Sequence, residues 1–323
     1  MTAIKVGTPS VDYSAGVQIN YHIGALLDSR IGKAIGKQSY ETSQSSTSLD
    51  KKVDCIIDLG TAGYETGSVI VDVVTLNEVK IPTFTACNVH GANLKVANFS
   101  LPVDGIFALG LNSNGTDTTL KPLLFQFKNL EYTIYFNKRA SYSNQLQKNV
   151  GELTLGGKDT KNCRSDYTRF PLFKPHTDLW NVRIVSVVFN KRRYYLKQQS
   201  GLTRFAIFEQ TSDYIMVNNS ILKAIYRYYN VKDAKNRRVN CNRAKNGPSI
   251  FFRVSGHIYR IKATDYVTGF NTGKCDLRVA PLSFFANNSK KYPADFVLGI
   301  PFFKSYCVNF NLAKSIVGFA HRK

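Results

Sequence analysis

The sequence predicts an all-β, two-lobed chain with a few short helices. Three observations carry that expectation. Short runs rich in Val, Ile, Tyr, Phe and Thr recur throughout, each bounded by Gly, Asn, Asp or Ser. An apolar run entering a Leu-Gly turn occurs twice, as FALGLN (Phe107–Asn112) and FVLGIP (Phe296–Pro301). At 323 residues the chain is long enough to bury two cores.

From the N-terminus, VGTPSVDYSAGVQIN opens as a turn at Val6. It then alternates Val11, Tyr13, Ala15 and Val17 with polar or small residues, the pattern of a half-buried strand. That strand delivers Gln18-Ile19-Asn20 to its end. SYETSQSSTSLDKK (Ser39–Lys52) reads as an exposed polar loop. GSVIVDVVTL, LEYTIYFN, GELTLGG, LWNVRIVSVVFN and SIFFRVSGHIYRI read as strands. NNSILKAIYRYYN (Asn218–Asn230) reads as a helix, with Asn and Ser caps and Ile221, Ala224, Ile225 and Tyr228 on one face. A boundary near Gly157–Cys163 divides the chain into lobes 1–162 and 163–323.

Several classes are excluded or disfavoured. No run of 18 apolar residues exists, so no transmembrane helix is expected. No glycine-rich nucleotide loop follows a strand. MTAIKVGTPS lacks a hydrophobic signal core, which suits a cytosolic chain or one whose leader has been removed. None of the six cysteines sits in a C-x-x-C pair, and fifteen disulfide pairings are open. His22, His90, His176, His257 and His321 lack metal-ligand spacing, so neither metal nor cofactor is expected. Four sequons, at Asn98, Asn114, Asn218 and Asn287, are glycosylation candidates and favour a secreted chain.

Charge is distributed unevenly. Residues 1–150 carry 13 basic and 12 acidic side chains, leaving 43 − 13 = 30 basic and 22 − 12 = 10 acidic for residues 151–323. The second half therefore holds +20 of the net +21. Its clusters are Lys191-Arg192-Arg193, Lys235 with Arg237 and Arg238, Arg243 with Lys245, and Lys290-Lys291. They are either a solvated surface or a face for a polyanion: sulfated glycosaminoglycan, nucleic acid, an anionic lipid surface or an acidic protein.

The pieces, in order, resemble the pepsin-like aspartic proteases. VGTPSVDY resembles the family's opening strand and turn, and YETGSVIVDVV its flap hairpin. VDGIFALGL resembles the Asp-Gly-Ile-Leu-Gly-Leu segment, GELTLGGKDTKNC the strand closing the first lobe, and LWNVRIVSVVFN the strand opening the second. FAIFEQTSDYIMVNNSIL falls where the second catalytic strand belongs, and DFVLGIPFFKSYCVNFNLAKSIVGFA resembles the C-terminal signature. The resemblance implies a bilobal acid-protease fold with a cleft between the lobes. It also implies the bridges Cys241–Cys275, Cys163–Cys307 (as in nematode-type secreted members) and Cys55–Cys87, and hence an oxidising, extracellular compartment.

The chemistry departs from the family. Each lobe of an active member supplies Asp-Thr/Ser-Gly, and the two carboxylates share a proton and activate one water. The matching triplets here are Gln18-Ile19-Asn20 and Glu209-Gln210-Thr211. A carboxamide cannot take up and release that proton, Glu209 is one methylene longer than aspartate, and neither triplet keeps its glycine. Ile300 and Pro301 stand where the signature usually continues Leu-Gly-Asp. Tyr64 matches the flap tyrosine, while Glu65, beside Thr66, replaces a flap glycine. Ser212-Asp213 reads as a turn without a partner base, and Trp180 as a core or lobe-interface residue. The expectation is a catalytically inactive, secreted homologue that binds a polyanion through its basic second lobe. The alternatives are a decoy holding a peptide or inhibitor beneath the flap, and a residual endopeptidase using Glu209 as a lone acid.

Overall fold

The structure is a computed structural model that describes residues 2–58, 63–94, 103–112, 118–138, 150–173, 178–195, 205–232, 236–284 and 294–323. It divides into two compact units, one running to Leu130 and taking in Asp178–Trp180, the other holding Glu131–Lys138, 150–173 and Asn181 onward. The expected boundary at residue 162 is thus corrected. Residues 131–138 and 150–162 join the second unit because the strand Glu131–Phe136 is hydrogen-bonded to a C-terminal strand, Val308 beside Ile134, and the strand Gly151–Leu155 to Glu131–Phe136.

Among the described residues, the strands of the first unit form one seven-stranded sheet. Its strands are β1 (Thr2–Val6), β2 (Val11–Gln18), β3 (Gly24–Leu27), β4 (Leu49–Asp58), β5 (Gly63–Leu76), β6 (Val79–Leu94) and β7 (Gly105–Ala108). The order is β1-β2-β7-β3-β6-β5-β4, and β1 also pairs with β5. Along β5 a strict two-residue alternation buries Ile70, Asp72, Val74 and Leu76. The one polar member of that row has partners: Asp72 accepts from the Tyr40 hydroxyl at 2.6 Å and the Thr47 hydroxyl at 2.6 Å. Ser39–Lys52 is therefore not simply an exposed loop. Tyr40 is buried and anchors it to Asp72, and its last residues begin β4.

The second unit adds β8 (Glu131–Phe136), β9 (Gly151–Leu155), β10 (Thr168–Pro171), β11 (Asn181–Phe189), β12 (Arg192–Tyr195), β13 (Phe205–Phe208), β14 (Ile215–Val217), β15 (Arg238–Val239), β16 (Ile250–Val254), β17 (His257–Ile261), β18 (Val267–Thr268), β19 (Cys275–Leu277), β20 (Val279–Pro281), β21 (Phe296–Leu298), β22 (Tyr306–Asn311) and β23 (Ile316–His321). One sheet runs β10-β23-β22-β8-β9 and a second β17-β16-β11-β13-β21-β14-β20, with β12 alongside β11. The two meet through fully buried rings. Phe208 of β13 lies 5.7 Å from both Phe310 and Phe319, between centroids, and Phe302 lies 5.2 Å from Phe319. Burying each such side chain contributes about 1.5–3 kcal/mol.

The helix Asn219–Tyr229 forms where the sequence places it. The Asn218 side chain accepts from the Ile221 amide at 3.2 Å, and Asn230 ends the helix in the left-handed region. Its buried residues are Ile221, Leu222, Ile225 and Tyr229. Tyr229 rather than Tyr228 enters the core because its hydroxyl meets that of Tyr266 at 2.8 Å.

The six cysteines form Cys55–Cys87, Cys163–Cys307 and Cys241–Cys275. Cys55 on β4 and Cys87 on β6 flank β5, so their bridge passes over Gly67, the residue paired with Cys55. A Cβ on Gly67 would sit 2.8 Å from the Cys87 sulfur and collide with the Asn88 carbonyl. Glycine is required there by space, not by backbone angle.

Candidate functional site

Each unit contains the same three-strand device. In the first, β7 runs parallel to β2 (Gln18 beside Ala108) and antiparallel to β3 (Ala25 beside Ile106). In the second, β21 runs parallel to β13 (Phe208 beside Leu298) and antiparallel to β14 (Ile215 beside Leu298). The repeated Leu-Gly segments supply both central strands. The Leu109 amide donates to the Gln18 carbonyl at 2.6 Å, and the Glu209 amide to the Leu298 carbonyl at 3.0 Å. Gly110 sends its amide to the Tyr21 carbonyl at 2.8 Å; Ile300, one residue beyond the matching Gly299, sends its own to the Ser212 carbonyl at 2.8 Å. A Cβ on Gly110 would come within 2.5 Å of the Tyr21 carbonyl oxygen, and one on Gly299 would strike the Ser212 and Tyr214 carbonyls. These glycines let each loop cross its neighbouring strand.

Gln18-Ile19-Asn20 and Glu209-Gln210-Thr211 occupy the two matching loops. Their middle residues, Ile19 and Gln210, are buried. Glu209 is half-buried, and its carboxylate folds back over its own loop: it accepts from the Thr211 hydroxyl and, at 3.3 Å, from the Thr211 amide. Just beyond, Asp213 pairs with Arg278 at 3.5 Å, while the Tyr214 hydroxyl accepts from Arg237 at 3.1 Å and Arg278 at 3.2 Å. In the first unit, Trp180 is buried and donates to the Leu109 carbonyl at 3.3 Å, which places the only tryptophan in that core.

The flap reading is shifted by the structure. Residues 59–62, which link β4 to β5, lie outside the described residues, and Asp58 pairs with Tyr64. Tyr64, Glu65 and Thr66 thus lie on the returning strand, not at the hairpin tip. Tyr64 is 40% exposed, and its hydroxyl accepts from Asn93 at 3.2 Å. Burial pushes the Glu65 carboxyl above its ordinary 4.5.

The basic clusters separate on the structure. Asn190 and Lys191 both take positive φ and form a two-residue turn that closes the β11–β12 hairpin, with Arg192 and Arg193 on its second strand. Arg237 is committed to Tyr214, its guanidinium 4.6 Å from the ring centroid. Arg238 pairs with Asp276 at 3.1 Å. Arg243 lies over Tyr228, and Lys245 is exposed. Lys235, Lys290 and Lys291 lie outside the described residues, as do the sequons at Asn98, Asn114 and Asn287. Asn218 uses its side-chain oxygen as the helix cap.

Arg253 and Arg260, isolated in sequence, are carried onto the same sheet face as Arg193 by pairing. Ser255-Gly256 closes the β16–β17 hairpin with two positive φ angles, and Arg193, Val188, Phe251 and Arg260 fall in one cross-strand row. The alternation in SIFFRVSGHIYRI around its Ser-Gly pair was the available signal. Among the described residues, no group of three or more His, Cys, Asp or Glu side chains is arranged to hold a metal, and no helix is long and apolar enough to cross a membrane.

Comparison with known proteins accounts for the paired device. The chain is 24% identical over 298 residues to aspartic protease 17 of Caenorhabditis elegans, covering 90% of this chain and 72% of that protein. It is 23% identical to aspartic protease 1 of the same organism over 88% of this chain and 70% of that protein, and 25% identical to human gastricsin over 87% and 70%. The sequence model of the eukaryotic aspartyl protease family matches residues 28–322, beginning after the first loop triplet. With both strand devices, the pepsin-like fold and a match over most of its length, the chain belongs to the eukaryotic aspartyl protease family.

Proposed function

We propose that the chain is a catalytically inactive, secreted member of this family that acts by binding a polyanion through its basic second unit. The observation that carries the inactivity is the content of the two matching loops, Gln18-Ile19-Asn20 and Glu209-Gln210-Thr211. A carboxamide at one loop and a carboxylate already accepting from its own Thr211 at the other provide no pair of acids to share a proton. Loss of one member of a cooperating unit removes most of the rate enhancement. Secretion is supported by three closed disulfides with no cysteine left free. Binding is supported by the +20 charge of the second half.

The test has two arms. Incubation with denatured globin across mildly to strongly acidic pH, beside active gastricsin, is expected to give no cleavage. Cleavage blocked by a transition-state peptide analogue would overturn the inactivity. A salt series of heparin binding is expected to show log Kd rising steeply with log salt, because each neutralised anion releases counterions. Absent or salt-insensitive binding would remove the polyanion from the proposal.

A further inference from the structure

The outer face of the β12-β11-β16-β17 sheet combines features that net charge alone does not require. Its inner face is core: Val187, Phe189, Phe252 and Ile261 are all buried. Alternation therefore sends the intervening residues outward. One outward row begins at Arg193 and ends Phe251, Arg260; the next begins at Tyr195 and ends Arg253, Ile258. Four strands make this platform about 14 Å wide, and its rows lie about 7 Å apart.

Three properties point to one kind of ligand. The first is unopposed charge: the outward rows carry Arg193, Arg253 and Arg260, and the segments 181–195 and 248–262 that supply the four strands contain no Asp or Glu. The second is exposed apolar surface between the cations. Tyr195 is 66% exposed and Ile258 60%, while Phe251 is half-exposed. A solvated charged face has no need of these side chains. The third is prepositioned guanidinium groups. Arg193 donates to the Tyr195 hydroxyl at 3.1 Å, and Arg260 donates to Ser249 at 2.8 Å while lying over the Phe251 ring. Between them lies the half-buried Arg253, in the same outward row as Tyr195 and Ile258, whose guanidinium suits a phosphate.

We propose that this face binds single-stranded nucleic acid, with bases stacking on Tyr195 and Phe251 and phosphates held by Arg193, Arg253 and Arg260. The proposal rests on the polyanion reading above and narrows it to one ligand class and one surface. Stacking on exposed aromatics is the contribution that separates a nucleic acid from a sulfated sugar of equal charge. The paired hairpins set rings and guanidinium groups in alternate positions of one face.

The experiment compares a short oligothymidylate, an abasic strand of the same length and charge, and heparin, each binding the full chain at fixed salt. Oligothymidylate is expected to bind about tenfold more tightly than the abasic strand. Tyr195→Ala, at an exposed position, should erase that difference, with thermal unfolding confirming the fold. Arg193→Gln should weaken both strands alike and, in a salt series, lower the slope by about 1. Equal binding of the two strands, with heparin bound tightly, would overturn the nucleic-acid proposal and leave the polyanion reading standing. Failure of all three ligands to bind would overturn both. A preference for oligothymidylate untouched by Tyr195→Ala would overturn the assignment of this face.

Discussion

One half-buried carboxyl, Glu65, shows how the fold reshapes chemistry at the residue scale. Glu65 sits on β5 where the resemblance expects glycine, and burial raises its carboxyl above the ordinary 4.5. The folded chain then keeps this proton at pH values where the unfolded chain has lost it. The resulting stability is fully present below the ordinary glutamate range and is lost as pH rises toward the higher folded value. Glu65→Gln is expected to flatten that decline, and chemical denaturation between about pH 4 and 7 would show it. An unchanged pH profile would mean that Glu65 is solvated. The loop residues give a second expectation. Gln18→Asp alone should yield no cleavage of denatured globin, because the opposite triplet still supplies Glu209 bound by its own Thr211. Turnover by that single variant would show that Glu209 can serve as the second acid.

The elements record which signals were legible in sequence. The two Leu-Gly echoes were readable because the glycines answer a local demand, close passage of a neighbouring backbone, and both became the central strand of their device. The helix Asn219–Tyr229 was readable through its caps. The flap register was not. YETG matches the family pattern as text, but Tyr64, Glu65 and Thr66 are already paired with β4, and only the register of Asp58 with Tyr64 reveals this. The Arg193–Arg260 face was hidden for the same reason: residues brought into one row by strand pairing, but far apart in the chain, share no local pattern. Gly67 tests the strand-level packing directly. Gly67→Ala drives a methyl group into the Asn88 carbonyl and the Cys55–Cys87 bridge, and is expected to cost about 3 kcal/mol in urea unfolding. A loss below about 0.5 kcal/mol, the range of neutral surface changes, would contradict the close crossing. Asn218→Ala, which removes a cap, is expected to cost about 1 kcal/mol by the same measurement.

For the whole molecule, the organising fact is that chain order and unit order differ. β8 and β9 come early in the sequence but lie in the sheet of β22 and β23, with Val308 beside Ile134. The Cys163–Cys307 bridge fastens this arrangement covalently, spanning 144 residues against 32 and 34 for the other two. Its sulfurs lie in a buried cluster with Ala320, packed by Tyr135 and Tyr167. In the chain-entropy view, a longer loop removes more freedom from the unfolded chain, and the dependence is logarithmic. Cys163→Ser with Cys307→Ser should therefore cost more than the Cys241→Ser, Cys275→Ser pair by roughly 1 kcal/mol. Paired urea titrations of the two variants would measure the difference, provided their m values agree. A larger loss from the shorter bridge would show that local packing, not loop length, decides how these disulfides stabilise the fold.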